Sequence, residues 1–584
     1  MVNGERLHTQ LRRVRIVFLA GLLLLVPAYL FPQSSPPNDP VTQESLKFAR
    51  IYGLLQEHYA DPINPDHAIF DGGIRSMLDT LDPFSAFFDR QQFKMLQEQT
   101  RGEALGFGSI LYVKPGKVLV LQTAEGSPSW RAGLGPGDQI VAVNGHEVAQ
   151  LDFRALIQLL QRSRSHPVRL EILHPGKAVP QEVRLVPKQV KMPTVENAFL
   201  FPGPQIAYIH VSGFDAKTTG EVQSAVEKLG GSKLKGLLLD LRNNHGGVVA
   251  TAAGVASLFL KPGLRILTIR GRGVPEKSYD TKPMKVRFNM PIVVLINGET
   301  ASAAELLTAA LEEHDRAVVA GEDSYGKGVV ENVMPLSDNT GLALTVAQYF
   351  TPSGRSIQRR LPGTMLAHAE AGLDKSKGFR TDDGRPLSAG GGITPDVRIA
   401  ARKLDSWAVF LNEHGMFTDF ASQYITYHEN LKRTFEPDKD AMTEFRNFLS
   451  SRRIRVPLMY WVKDQDYLKL RIRMEVLSLI FGLKAGNEVE IKGDPQVRKA
   501  LEVFPKIPEI LKGPLPEGEK HIKRVADRSG LWQNNLRTEL AGAFAQTNAD
   551  SCRRVWSAAA CRRSSAASRE QAHGTKAGAS SRTP

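Results

Sequence analysis

Cysteine is nearly missing from this 584-residue chain, which has two, Cys552 and Cys561, both in its last 34 residues. With no thiol in residues 1–551, the globular part is denied a cysteine nucleophile, cysteine metal ligands and a disulfide framework. Long apolar runs are equally scarce. A single one, over residues 16–31, leaves no room for a multi-span membrane protein. Charge of one sign is also absent from the body of the chain. Lys plus Arg number 75 against 61 Asp plus Glu, a formal +14. Residues 1–32 carry +3 and residues 551–584 carry +6, which leaves +5 for the 518 residues between. A nucleic-acid partner needs a basic face, and none is indicated.

What is present is the composition of a folded protein, 42% hydrophobic and 23% charged. At roughly 100–200 residues per domain, the length suits three or four domains. Arg12, Arg13 and Arg15 stand before the apolar run, whose helical propensity is interrupted only by Pro27. A basic flank followed by an apolar stretch directs export. The bulky Tyr29-Leu30-Phe31-Pro32 offers no small-residue cleavage site. Sixteen residues fall short of the roughly 20 of a typical span. An uncleaved anchor is nevertheless expected, its basic flank in the cytoplasm and the rest of the chain in the periplasm or otherwise outside the membrane. A removed signal peptide is the alternative.

The pattern then changes several times. Residues 1–32 read as a signal or membrane anchor, 33–41 as a linker and 42–101 as an N-terminal helical segment, with Leu46, Ala49, Ile51, Leu54, Leu55 and Tyr59 at helical steps. Residues 102–190 hold short β-rich runs cut by Gly and Pro. In residues 191–403 apolar strands alternate with helices, as in an α/β layer. Residues 404–513 read as a helical extension in which Tyr467, Leu470, Met474, Leu477 and Phe481 form a packing stripe. Residues 514–584 are a low-complexity basic tail, expected to be disordered.

Two groups of motifs carry chemistry. In the β-rich part, Leu105-Gly106-Phe107-Gly108 precedes a strand, and a small-residue helix leads through Gly137-Asp138 and a strand to Asn144-Gly145. This string resembles PDZ domains. The resemblance implies that the Gly-x-Gly loop turns N–H groups to a peptide's terminal carboxylate while the adjacent strand edge pairs with the peptide. In the α/β part, Ser302 ends the turn from a buried strand into a helix, where free N–H groups and the dipole favour a developing anion. Ser324-Tyr-Gly-Lys327-Gly follows in a later loop. Upstream, Asp240-Leu-Arg-Asn-Asn-His-Gly-Gly247 closes another strand with two glycines.

Taken in order, these strings resemble the carboxy-terminal processing peptidases, as do Leu81-Asp-Pro-Phe-Ser85, the stretch from Tyr349 to Gln358, and Gly391-Gly-Ile-Thr-Pro-Asp396. The resemblance covers about residues 42–400. It implies a multidomain α+β protein: a crotonase-like α/β serine peptidase core with a PDZ domain, flanked by the N-terminal helical segment and the C-terminal helical extension. It further implies Ser302 as nucleophile, Lys327 as general base, and an oxyanion hole from Ala303 and one of Gly246 or Gly247. Substrates are then proteins or peptides with accessible C-termini, and no metal or organic cofactor is called for. The membrane is a partner through residues 16–31. An ammonium cannot accept a proton, so the lysine must be desolvated enough to lose one.

One position departs from the pattern. Where the family has Gln, four residues after the lysine, this chain has Glu331. A carboxylate there favours the protonated lysine unless it is itself protonated or turned away.

Rival readings fit less well. Gly321 to Gly328 approaches a phosphate-binding loop but has Gly328 where Mg²⁺ needs Ser or Thr. His428-Glu429 lacks the second histidine of a zinc-protease helix. His314 and Asp315 lie at the far end of the helix that Ser302 begins, some 18 Å away at 1.5 Å per residue, and are expected to form salt bridges there. The non-enzymatic alternative is a membrane-tethered PDZ scaffold with an inactive core.

Overall fold

The computed structural model describes residues 40–512, except 286, 363, 365–377 and 389. The apolar run at 16–31, most of the 33–41 linker and the basic tail lie outside the described residues. Among the described residues, no helix is long and apolar enough to cross a membrane.

The chain divides into two compact units at Met77/Leu78. In the first, the helix Pro40–His58 buries none of its residues. Its apolar positions are on the surface, with Leu46 60% and Ile51 59% exposed. The helical period is thus present, but no core closes over it. A wide π-type stretch, Asp66–Ile74, carries the chain on toward Arg75–Asp79.

The second unit holds three folded parts. Its peptidase layer is a six-stranded sheet in the order Val195–Leu200, Ile206–Val211, Gly236–Asp240, Ile292–Ile296, Val318–Gly321 and Val397–Arg398. All neighbours are parallel except the first pair. The inner strands are buried along their whole length. That follows from their unbroken apolar runs, since a parallel sheet is covered on both faces. The helices Val249–Ser257 and Ala303–Glu313 cover one face. A second sheet, Ala86–Phe88, Gly341–Phe350, Arg265–Gly271 and Val274–Asp280, takes Val329–Pro335 as a further partner of Gly341–Phe350. Ala86–Phe88 interrupts the helical pattern expected over 42–101. The Asp82-Pro83 turn reverses the chain, and three apolar residues then pair with an available strand.

Within residues 103–191, the strands from Ser109–Lys114 to Gln181–Leu185 form a five-strand antiparallel array with the short strand His146–Glu147 attached, packed on the helix Phe153–Ser163, and Glu103–Gly106 pairs separately with Lys188–Lys191. Ser109–Lys114 is its edge strand.

The helical extension packs on both neighbours. Leu119 is buried among Phe417, Phe420 and Ala421, with Tyr112 and Leu121 against the same cluster. At its other end Ile491, Val497, Ala500 and Val503 enter the peptidase core beside Tyr208, Leu238 and Val293. Within it, the helix Gln465–Phe481 is buried through Leu468, Ile472, Val476 and Leu479. The expected stripe is therefore displaced by one to two residues. Of its members only Leu477 is buried, because the helix is enclosed on several sides and the apolar period alone does not choose a face.

The β-rich domain is fixed to the extension by charge as well as by apolar contact. The Asp419 carboxylate, 4% exposed, meets Lys114 Nζ at 2.6 Å and Lys117 Nζ at 3.6 Å. Lys114 also donates to the His414 carbonyl at 2.9 Å. Both lysines are partly solvated, so Asp419→Ala is expected to weaken this face locally by about 2 kcal/mol. Faster amide hydrogen exchange in residues 109–123 and 416–427 checks it. Unchanged exchange there would show that apolar packing alone holds the domain.

Candidate functional site

Ser302 stands where the strand Ile292–Ile296 turns into the helix Ala303–Glu313. Its backbone is at φ 56°, ψ −120°, a conformation costly for any residue with a side chain. The surroundings hold it there. Thr300 Oγ1 donates to the Leu241 carbonyl at 2.8 Å, and Ala301 N–H donates to the Asn244 carbonyl at 2.9 Å. Asn243 and Asn297 exchange two hydrogen bonds of 3.0 and 2.7 Å. The serine turn and the loop after Gly236–Asp240 are thereby stitched into one body.

The two glycines of that loop differ in role. Gly246 N–H is taken by Asn244 Oδ1 at 2.9 Å. A Cβ on Gly246 would lie 2.9 Å from both Ser302 Cβ and Ala303 N. Gly247, at φ 133°, could carry no Cβ without striking the Phe214 carbonyl, and its N–H makes no hydrogen bond. The N–H of Ala303, in the first turn of the helix, is likewise uncommitted. Either glycine was expected to offer an N–H, and in this geometry only Gly247 has one to give.

The centre of the site is a residue to which the sequence reading gave no role. Glu305 is wholly buried, and four donors converge on its carboxylate. Oε1 accepts from Ser324 Oγ at 2.5 Å and Gly326 N–H at 2.7 Å. Oε2 accepts from Ser302 N–H at 2.8 Å and Lys327 N–H at 2.9 Å. One carboxylate thus joins the serine turn to the lysine loop across 22 residues of sequence. Burial pushes its pKa up to about 7, and the hydrogen bonds from Ser324, Lys327, Gly326 and Ser302 pull the other way. A signal was available: Ser302-x-x-Glu305 has the spacing of a capping box, in which the third helical residue reaches back to the N-cap N–H.

Lys327 is held by its main chain against the serine turn, but its amine points elsewhere. Lys327 Nζ is 2.6 Å from Glu331 Oε1, with both side chains about one-fifth exposed. It also lies over the Phe84 ring, 4.7 Å from the centroid. Glu331 therefore touches the lysine, and the alternative in which it turns away is not the arrangement here. Val329–Pro335 is a strand, where a phosphate-binding loop would lead into a helix. His314 bonds Asp382 at 2.8 Å and Asp315 bonds Arg385 at 2.8 Å, so both serve as ion-pair partners remote from the serine. His428 pairs with Glu444.

In the β-rich domain, Gly106 ends the strand Glu103–Gly106, opposite Lys188. Leu105 C=O accepts from Arg164 Nε at 2.9 Å. Phe107 is buried in the domain core, and the carbonyls of Phe107 and Gly108 accept from Ser129 and Ala124. Gly108, at φ 78°, leaves no space for a side chain beside Ser127. Leu105 and Gly106 end that strand, and Phe107 and Gly108 make the tight connection into the edge strand Ser109–Lys114. Beside that strand, Leu111, Leu160 and Val168 line a small apolar cavity.

Comparison with known proteins identifies both domains. Residues 205–364 match peptidase family S41, and residues 119–173 match the PDZ domain. The chain is 32% identical over 350 residues to a carboxy-terminal-processing protease of Bartonella bacilliformis, covering 59% of this chain and 80% of that one. It is 30% identical to a carboxyl-terminal-processing protease of Synechocystis, covering 60% and 86%. Among solved structures, a photosystem II D1 C-terminal processing protease is 28% identical, covering 60% of this chain and 86% of that one, with a TM-score of 0.32. The chain belongs to the C-terminal processing serine peptidases of family S41 and carries their PDZ domain.

Proposed function

We propose that this protein is an exported endopeptidase that takes hold of protein C-termini with its PDZ domain and cuts peptide bonds with a Ser302–Lys327 dyad. The observation that carries the reading is the convergence of Ser302, Gly326 and Lys327 on the single carboxylate of Glu305. Ser302 Oγ attacks the scissile carbonyl carbon and passes its proton to the neutral Lys327 amine. The uncommitted N–H groups of Ala303 and Gly247 receive the oxyanion. Collapse returns the proton from Lys327 to the leaving amine and leaves an acyl-enzyme, and water attacks next, with the same lysine as base. For the first step the amine must be neutral and must turn from Glu331 to Ser302.

The free edge of Ser109–Lys114 and the loop of Leu105, Gly106, Phe107 and Gly108 support peptide docking by strand addition. Export and anchoring rest on the basic flank and apolar run at residues 12–31. Cell fractionation with alkaline extraction tests them, and release of the full-length chain by alkali would remove the anchor.

The enzymatic reading is tested with an active-serine probe and unfolded proteins of varied C-termini, the cuts being mapped by mass spectrometry. Wild type is expected to label and cleave, and Ser302→Ala and Lys327→Ala to do neither. Absence of both in wild type across a broad pH range would leave a PDZ scaffold instead.

Glu331 adds a pH signature. Its carboxylate favours the ammonium, so activity is expected to rise on the alkaline side of neutrality. Glu331→Gln should move the acid limb of kcat/KM down by about one pH unit. An unmoved limb would mean that the carboxylate has no hold on the base.

Glu305→Gln places an NH₂ group against N–H donors. It is expected to cost about 3 kcal/mol and to lower kcat/KM at least about 100-fold. The folded carboxyl binds its proton more tightly than the unfolded one, at about 7 against 4.5. Its contribution to stability is therefore complete below pH 4.5 and is lost as pH rises through 7. The stability gap between wild type and this variant should shrink from about pH 5 to about pH 8. A constant gap in denaturant titrations would exclude that titration.

A further inference from the structure

The Lys327 amine meets both a carboxylate, that of Glu331, and an aromatic ring. The ring, that of Phe84, comes from more than 240 residues upstream and is held with care. Asp82 Oδ1 accepts the N–H groups of Phe84 and Ser85, each at 2.8 Å, and Asp82 Oδ2 accepts Ser85 Oγ at 3.0 Å. Ser85 Oγ in turn accepts Thr345 N–H at 3.2 Å. Directly after this turn, Ala86–Phe88 pairs with Gly341–Phe350, the strand that also pairs with Val329–Pro335 and so with Glu331. The ring is 5% exposed and packs with Val329, Leu361 and Tyr325. The aromatic face and the carboxylate that meet the amine are thus mounted on one sheet.

We propose that Phe84 is a positioning residue for Lys327, its ring face holding the ε-amine beside Glu331 and favouring the ammonium form. An aromatic face is negative at its centre and attracts a cation without being able to take its proton. The other charged or titratable groups around the amine have different engagements. Glu305, from the nucleophile helix, binds the lysine's main-chain N–H. The Arg359 guanidinium donates to the Ser324 carbonyl at 3.0 Å. Asp82 is used by its own turn. The phenols of Tyr325 and Tyr349 are kept neutral by burial. Phe84 and Glu331 therefore set together the pH at which the base becomes available, and an enzyme with both should be more alkaline than one with either.

This inference rests on Lys327 being the base, but its test need not. In the full-length Ser302→Ala chain, reductive methylation of Lys327 is followed against pH by peptide mass spectrometry, with formaldehyde and cyanoborohydride as reagents. Phe84→Leu keeps the site apolar but removes the ring face, and should lower the half-reactive pH by about half to one unit. Phe84→Tyr should restore it, and Phe84→Leu with Glu331→Gln should lower it further than either change alone. In the active chain, Phe84→Leu should shift the acid limb of kcat/KM by the same amount. Pentafluorophenylalanine at position 84 reverses the charge of the ring face at nearly constant volume and should act as leucine does, which covers a leucine variant that fails to fold. An unchanged half-reactive pH in the folded leucine or fluorinated protein overturns the proposal. Cleavage by Lys327→Ala would instead overturn the base assignment and leave the methylation result standing.

Discussion

The site depends on one buried carboxylate. Without Glu305, the turn carrying Ser302 and the loop carrying Lys327 are separate segments, each with backbone N–H groups that have no acceptor. A buried N–H left unpaired costs on the order of 1–3 kcal/mol, and three of them meet here with a hydroxyl. The carboxylate satisfies all four donors with its two oxygens. A glutamine cannot match that capacity, since an amide supplies only one oxygen acceptor. The uncommon backbone angles at Ser302 have the same origin. Its N–H is turned back toward the third residue of the helix, and Thr300, Ala301 and Asn244 leave the chain no easier route. Strain at Ser302 is thus balanced by contacts that also place the lysine loop.

Lys327 shows the opposite economy. Its main chain is fixed, but its amine sits between an aromatic face and a carboxylate. In the dyad proposed for this site the amine must be neutral to act as a base. The glutamine of the family pattern could orient the amine without holding the proton. A glutamate at that position has the same reach but adds a negative charge beside the amine.

What the sequence disclosed follows from how local each feature is. The strands Gly236–Asp240 and Ile292–Ile296 were legible because an uninterrupted apolar run between turn residues has few other uses in a folded chain. Ser302 was legible from its place between such a strand and a helix. Phe84 was visible as part of a motif but not as a neighbour of the lysine, since pairing between Ala86–Phe88 and Gly341–Phe350 depends on contacts far apart in sequence. The burial of Gln465–Phe481 was misplaced by one to two residues for a related reason. A helix enclosed on several sides has no single face for periodicity to mark. The exposed stripe of Pro40–His58 is the reverse case, with a clear period and no core on it.

The helical extension acquires a meaning from its two attachments. Its Asp494 and Gln496 bind Arg242 at 2.6 and 2.8 Å, and Arg242 also grips Asp240 at the end of the strand that leads to Gly246 and Gly247. Its Asp419 binds Lys114, on the same strand whose free edge is open to a peptide. Along Ser109–Lys114 alternate residues face opposite ways: Leu111 and Val113 enter the PDZ core, and Tyr112 and Lys114 meet the extension. The strand that would receive a substrate's end and the loop that would receive its oxyanion are therefore braced by one helical body. Two sites held by a common support keep a constant separation only if that support is itself packed, and Phe417, Phe420, Phe445 and Phe448 supply the packing. In this chain the extension makes the distance from Ser109–Lys114 to Ser302 a property of the fold, and does not leave it to a linker.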